Sequence, residues 1–271
     1  MQSFGRVRRL PDPDFPLRCR CRQCSIGSVP LGPLYLDRSD LTPEANLALD
    51  EALLEWCSLD SGREALRCWV TATPFVVLGR ANAAATEVDL EACTRLGLPI
   101  LRRCSGGGTV VQGPGCLNYA LVLRLDRQPE LAGITTTNHW ILDRHRTALA
   151  ALLGVPIRVE GITDLTCHGR KFSGNAQKRG RTHLLFHGTF LLHFDLDLMQ
   201  RVLRPPSRAP AYRKDRPHAA FVDNLPVAAE AVRQCLRGCW QATREFNDDL
   251  EPILSRLLRE RYLLPQWHRR Y

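Results

Sequence analysis

"LRRCSGGGTVVQGPG", residues 101–115, sets two arginines and a serine among five glycines, with apolar runs on both sides. The run spends much backbone flexibility beside two fixed positive charges. Two readings remain open from the residues alone. A hairpin could need unusual dihedrals here. Alternatively, bare backbone at Gly106, Gly107 and Gly108 could turn N–H groups toward phosphate oxygens, with Arg102 or Arg103 adding charge and Ser105 a hydroxyl. No Gly-Lys-Ser/Thr follows, so this is not a Walker A loop. A strand follows where a dinucleotide fingerprint requires a helix.

Working outward, upstream "PLYLD" reads as a strand and "LTPEANLALDEALLEW" as a helix. Thr42 suits its N-cap, Pro43 its first turn and Glu44 its positive end. Leu49, Ala52, Leu53 and Trp56 form its apolar stripe. "LRCWVT" and "FVVLGR" read as strands joined by a tight turn at Thr73-Pro74, "VDLEACTRLG" as a short helix and "LPILRR" as a strand. Downstream, "LNYALVLRL" puts Leu117, Tyr119, Leu121, Leu123 and Leu125 on one strand face. "NHWILDRHRTALAALLG" is a helix with Ile141, Ala148, Leu149 and Leu152 inward and Gly154 as its stop. Strands follow near 171–178 and 183–194, turning at Arg179–Arg181, then a short helix near 196–203, a Pro-rich loop, and helices near 226–242 and 249–261. Strands and helices mix without steady alternation. That predicts an α+β fold, a mixed and largely antiparallel sheet with packed helices.

The bulk numbers narrow the classes. The 271 residues carry a net charge of +9, which suits an anionic ligand or an acidic protein partner. The arginines are scattered and few aromatics interleave with them, so nucleic acid is not expected. No run of eighteen apolar residues exists, so no membrane-spanning helix is expected. Residues 1–32 read as an Arg/Cys/Pro-rich extension without a signal-peptide core, and residues 33–271 as the catalytic domain; the expected location is the cytoplasm. Eleven cysteines in such a chain do not imply disulfides. Cys235 and Cys239 share a helix face with Val232 and Leu236. Cys19, Cys21 and Cys24 offer part of a zinc site, with no matching fourth ligand nearby.

Two further stretches carry chemistry. "GITDLTCHGRKFSGNAQKRG" places Asp164 ahead of a strand on which alternation puts Lys171, Ser173, Asn175 and Gln177 on one face and Phe172, Gly174 and Ala176 on the other. A strand lysine facing a glycine loop can neutralise a phosphate and a carboxylate as they approach. A solvated surface lysine is the ordinary alternative. "FHGTFLL" sets Gly188 inside an apolar strand, where it leaves room for a slender ligand chain. His187 is either a base, a metal ligand, or a packed, hydrogen-bonded histidine.

Together these stretches resemble the lipoate–protein ligase and lipoyl/octanoyl transferase family, whose catalytic domain shares the fold of biotin–protein ligase. Arg102-Arg103-Cys104-Ser105-Gly106-Gly107-Gly108-Thr109-Val110 matches its glycine motif. Gly161 to Asp164, Lys171 to Ala176, and His187-Gly188-Thr189-Phe190-Leu191 match its other motifs in order and spacing, across about residues 34–265. Gln112-Gly113-Pro114-Gly115-Cys116 departs from the ligase pattern toward the octanoyltransferase branch. The cysteine-dependent transferases place their nucleophile where this chain has Val155, Pro156 and Gly161. The large C-terminal accessory domain of some ligases has no counterpart after "RYLLPQWHRRY".

The resemblance implies a lipoate–protein ligase. Lipoate or octanoate is activated by ATP with Mg²⁺ to an acyl-adenylate, then passed to a lysine of a lipoyl carrier domain; a separate accessory subunit is a candidate partner. Lys171 would be catalytic. Arg102, Arg103, Ser105, Gly106, Gly107, Gly108, Thr109, Val110, Val111, Asp164, Ser173, Gly174, His187, Gly188 and Thr189 would bind the substrates, with Asp164 also on the metal. The alternatives are an ATP-independent transferase drawing on a carrier thioester, with Cys104, Cys116 or Cys167 as acyl holder, and a non-catalytic ligase-like binding module.

Overall fold

A computed structural model describes residues 32–206 and 209–270. Residues 1–31 of the expected extension, with Cys19, Cys21 and Cys24, lie outside the described residues.

The chain runs β1 (Leu34–Asp37), α1 (Pro43–Ser58), β2 (Ala65–Trp69), β3 (Phe75–Leu78), α2 (Ala84–Glu87), α3 (Leu90–Arg95), β4 (Ile100–Arg102), β5 (Val110–Gln112) and β6 (Cys116–Arg124). It continues through α4 (Ile134–Leu153), β7 (Ile157–Glu160), β8 (Asp164–Cys167), β9 (Arg170–Arg179), β10 (His183–Leu191) and α5 (Leu196–Val202). Last come α6 (His218–Phe221), α7 (Ala229–Trp240), β11 (Arg244–Glu245), α8 (Glu251–Leu257) and α9 (Pro265–His268). The large sheet has eight strands in the order β11-β1-β2-β6-β10-β9-β8-β7. β11, β1 and β2 pair in parallel, and every other pairing in it is antiparallel. A second sheet, β4-β3-β5, holds the glycine stretch between its edge strands. The expected α+β class stands. The turn expected at Thr73-Pro74 joins strands of different sheets, β2 in the large one and β3 in the small one.

Each face of the large sheet buries a core. On one face Leu117, Tyr119, Leu121 and Leu123 of β6 and Phe186 and Phe190 of β10 meet Ile141 and Leu149 of α4 and Val232, Leu236 and Trp240 of α7. Thr137, Asn138, Leu142 and His145 complete the buried side of α4, whereas Leu152 is exposed. On the other face Ala120, Val122 and Leu185 meet Leu49, Ala52, Leu53 and Trp56 of α1. Burying Leu49 and Leu53 contributes roughly 1.5–3 kcal/mol each. Thr42 caps α1 as expected, its hydroxyl accepting from Ala45 N–H. Almost all of this helix is buried, including Asn46, Asp50 and Glu51 on the side toward the site.

β9 departs from simple alternation. Asp164 pairs with Gly174 and Leu165 with Ser173, but Thr166 pairs with Lys171, so Phe172 is an extra residue. Phe172 stacks on Phe190 in the α4–α7 core. Ser173, paired with Phe190, takes the same side. Lys171 is thereby carried to the α1 face, which it shares with Gly174 and Ala176. The expected grouping of Lys171 with Ser173 and Asn175 is reversed by this one-residue bulge.

Candidate active site

The loop from Arg103 to Thr109 crosses from β4 to β5 and lies over β9. A β-carbon on Gly107 would sit 3.5 Å from Ala176 Cβ and 2.9 Å from the Arg103 guanidinium. That guanidinium is tucked beneath the loop, donating to Gly106 O at 2.5 Å, Gly108 O at 2.8 Å and Ser105 Oγ at 3.0 Å. Burial holds its pKa down at about 10. Carbonyl and amide point opposite ways across a trans peptide. With the Gly106 and Gly108 carbonyls turned onto Arg103, the Gly107 and Thr109 N–H groups turn away from it. Arg103 thus shapes the loop from behind and leaves amides for an anion.

Lys171 stands beside this loop. Its ammonium lies 2.7 Å from Asp164 Oδ1, and Tyr212 donates to Asp164 Oδ2 at 2.7 Å. Burial, then the Asp164 charge, pushes the Tyr212 phenol well up, so it stays a donor. A β-carbon on Gly174 would meet Lys171 Nζ at 2.9 Å and Cε at 3.0 Å, so glycine is what lets the lysine lie across the strand. Lys171 therefore covers Gly174 while Gly107 covers Ala176, two residues along the same face and about 7 Å away.

The floor between them is polar. Gln112 donates to Thr189 Oγ1 at 3.3 Å, and Thr189 donates to Asn118 Oδ1 at 2.7 Å. Gln112 Oε1, Asn118 Nδ2, Thr109 Oγ1 and Thr166 Oγ1 are buried without a partner. Buried polar atoms are nearly always bonded in folded proteins, and Thr189 and Thr166 are the cross-strand partners of Gly174 and Lys171. Gln112, Asn118 and Thr166 thus leave three unpaired polar atoms on or next to the cross-strand neighbours of Lys171 and Gly174.

Below the loop, Ser105 Oγ lies 2.6 Å from His187 Nε2, and His187 Nδ1 lies 3.2 Å from Asp50 Oδ2. Arg67 donates to Asp50 Oδ1 at 2.7 Å. His187 is thus a buried, hydrogen-bonded histidine. Behind the loop a cavity of about 250 Å³ is lined by Arg80, Lys178, Arg261, Arg270, Trp267 and Cys104.

Several expected site residues lie elsewhere. Arg102 is fully buried and donates to the carbonyls of Gly79, Arg80, Asn82, Trp267 and His268. It fastens the C-terminal α9 instead of facing the groove. Val111 is core, Val110 packs against the α1 core, and Ser173 is on the opposite sheet face. Gly188 gives its space to Asn175 and not to a ligand chain, since a β-carbon there would fall 1.9 Å from Asn175 Oδ1. That oxygen accepts from Tyr119 at 2.6 Å. Gly106 and Gly108 have open space beside them. Asp50, Arg67, Gln112, Asn118 and Tyr212 were not expected from the motifs. Asn46 and Asp50, four apart on an otherwise apolar helix side, are the signal that could have found Asp50; Tyr212 sits in a Pro-rich loop with no such signal.

A lysine held by a carboxylate, beside a loop with outward amides and over a polar floor, is suited to holding an anion. Residues 42–233 match the lipoyl protein ligase A/B catalytic domain, and the chain belongs to that family. It is 27% identical over 262 residues to octanoyltransferase LipM of Carboxydothermus hydrogenoformans, covering 86% of this chain and 97% of that protein. It is 28% identical over 253 residues to lipoate-protein ligase A subunit 1 of Thermoplasma acidophilum, covering 88% and 96%. Among solved structures, the bi-partite lipoate protein ligase of Thermoplasma acidophilum aligns with a TM-score of 0.73 at 25% identity, over 88% of this chain and 96% of that one. A lipoate-protein ligase A bound with ATP aligns with a TM-score of 0.71 at 26% identity, over 88% and 98%.

Proposed function

We propose that this protein is a lipoate–protein ligase. It activates lipoate, or octanoate, with ATP and passes the acyl group from acyl-AMP to a lysine of a lipoyl carrier domain. The observation that carries this reading is the Lys171–Asp164 pair beside outward amides, with Cys104, Cys116 and Cys167 all raised by burial. The carboxylate of the acid is a poor acylating group and needs a leaving group. The Lys171 ammonium sits where it can contact the acid's carboxylate and the α-phosphate at once, drawing two anions together. Gly107 and Thr109 N–H groups would take phosphate oxygens, and the open atoms of Gln112, Asn118 and Thr166 would take polar groups of the substrates. A carrier amine then attacks the acyl carbon.

The donor set does not suit a standing metal site. Asp164 spends one oxygen on Lys171 and the other on Tyr212. No cluster of three His, Cys, Asp or Glu able to hold a metal exists among the described residues. Mg²⁺ is proposed to enter on the phosphates of ATP.

The similarity to octanoyltransferases LipM favours a second reading, transfer from a carrier thioester without ATP. A thiol route needs a low-pKa cysteine. Burial pushes Cys104 and Cys116 each up to about 12, and it raises Cys167. This favours the ligase over a cysteine transferase. The retained lysine and its carboxylate argue against a non-catalytic module. The bi-partite Thermoplasma ligase suggests a separate accessory subunit for this chain too. No helix among the described residues is long and apolar enough to cross a membrane. The test is to incubate pure protein with ATP, Mg²⁺ and lipoate. Lipoyl-AMP detected by mass spectrometry supports the proposal, and its absence with active carrier and substrate counts against it.

A further inference from the structure

The backbone of Lys171 is fixed: its carbonyl accepts from Asp223 N–H at 2.9 Å, and the residue bridges to Val222. The side chain is a flexible four-carbon stem, turned across Gly174 onto Asp164 Oδ1. An ammonium has three hydrogens to give. Asp164 takes one of them with one oxygen, and two remain for an incoming carboxylate and phosphate. That count depends on Tyr212. Its hydroxyl donates to Asp164 Oδ2 at 2.7 Å, so the second carboxylate oxygen is committed to the phenol.

The phenol is delivered by a built segment. Gly161, at φ +60°, opens the motif that ends at Asp164, and a β-carbon there would fall 3.1 Å from Tyr212 Cε1. The tyrosine ring packs on Phe221 with centroids 5.2 Å apart. Arg213 and Arg216 clasp the turn that follows. Each donates through Nε to the other's carbonyl, at 2.8 and 3.0 Å. Arg216 also donates to the carbonyls of Tyr212 and Gly169, each at 3.1 Å. Lys214 and Asp215 inside this turn are both left-handed, at φ +49° and +55°. Residues other than glycine hold that conformation only where their surroundings enforce it.

Resting on the ligase reading, we propose that Tyr212 is a positioning residue for acyl-AMP formation. It keeps Asp164 on a single oxygen toward Lys171, so that the ammonium retains two hydrogens to bridge the acid's carboxylate and the α-phosphate. In that step a carboxylate oxygen of the acid bonds to the α-phosphorus. The bond from that phosphorus to the bridging oxygen breaks, and pyrophosphate leaves with the electron pair. No proton has to move. Without the phenol, both oxygens of Asp164 close on Lys171 and hold the ammonium back from the two anions. Tyr212 itself touches neither anion; it acts through Asp164.

The experiment is a double-mutant cycle on the full chain. Acyl-AMP formation from ATP, Mg²⁺ and lipoate is measured for wild type, Tyr212→Phe, Lys171→Ala and the double variant. Tyr212→Phe keeps the ring and removes one oxygen. It should lower kcat by about 10–10²-fold, the scale of a misplaced group, with KM for ATP and lipoate within about threefold of wild type. In the Lys171→Ala background the same substitution should change the rate less than about twofold, because the group it acts on is gone. A second measurement needs no catalysis. The chain has three lysines, Lys171, Lys178 and Lys214. Acetylation of Lys171 by acetic anhydride, read by peptide mass spectrometry against Lys178, should slow by about threefold or more in Tyr212→Phe. Equal fold losses of activity in the two backgrounds would mean that Tyr212 only supports the fold, and would overturn the proposal. So would a loss confined to KM, a kcat within about threefold of wild type, or unchanged or faster labelling of Lys171. Wild type that forms no acyl-AMP would count against the ligase reading, and the labelling would still decide whether Tyr212 sets the Lys171–Asp164 pair.

Discussion

Arg102→Ala should cost stability before it costs chemistry. The motif suggests a phosphate-binding arginine, yet the side chain is fully buried and its guanidinium makes five bonds to carbonyl oxygens, at 2.7–3.2 Å. Two of these carbonyls, Trp267 and His268, belong to α9, and Trp267 Nε1 returns a bond to Arg102 O at 2.9 Å. Single bonds to a charged group are each worth about 1.5–3 kcal/mol and do not add. Removing one side of a buried charged network typically costs about 3–5 kcal/mol, because the carbonyls left behind are dry and unpaired. For a domain of this size 1 kcal/mol moves Tm by about 2–4 °C, so the expected fall is roughly 6–20 °C. Thermal unfolding followed by circular dichroism measures it, with ATP binding measured well below the new Tm. A Tm within about 2 °C of wild type together with lost ATP binding would refute the argument and return Arg102 to the ligand.

Other outcomes follow from the same geometry. Lys171→Ala should keep its Tm within a few degrees and lose about 10²–10³-fold in acyl-AMP formation, the scale of one lost electrostatic stabiliser; activity within tenfold of wild type would remove the lysine from the chemistry. Gly174→Ala should displace the Lys171 side chain, because the new β-carbon would fall 2.9 Å from Nζ, and lower the same rate by up to about 10²-fold; unchanged kinetics would show that the lysine works from another position. Cys104→Ser, Cys116→Ser and Cys167→Ser, tested singly and together on soluble protein, should keep most ATP-dependent activity and leave no hydroxylamine-sensitive acyl adduct to lose. His145 is fully buried, accepts from Trp240 Nε1 at 2.8 Å, and is pushed by burial, then by Arg144, down to about 3. The unfolded imidazole titrates near 6.5, so its contribution is whole above that pH and is lost as pH falls toward 3, at up to about 1.4 kcal/mol per unit. His145→Gln should flatten denaturant-measured stability against pH in that window; an unchanged slope would contradict the assignment.

Much of this architecture was legible where local chemistry and packing agree. Thr42-Pro43-Glu44 marks the start of α1, Gly154 ends α4 with φ +67°, and alternating Leu117 to Leu123 marks a central strand. The elements that escaped are short and get their definition from pairing. β5, β7 and β8 have three or four residues each and no period long enough to read. The site was legible as motifs and less so as roles. Both arginines beside the glycines are there, but each turns inward: Arg103 frames a three-glycine loop that has no stiffness of its own, and Arg102 holds α9. The bulge at Phe172 has no sequence signature, yet it decides the face on which Lys171 works. Asp50 and Arg67 were hidden because a charged residue in an amphipathic helix or strand reads as solvent-facing until its partner across the fold is known.

The central claim is that ATP, and not a carrier thioester, supplies the activated acyl group. The most direct measurement is the mass of a lipoyl carrier domain after incubation with this protein and one donor at a time. The account predicts modification of the carrier lysine with ATP, Mg²⁺ and lipoate, and none with an octanoyl-carrier thioester when ATP is withheld. Modification by the thioester alone, with free lipoate and ATP inert, would contradict it.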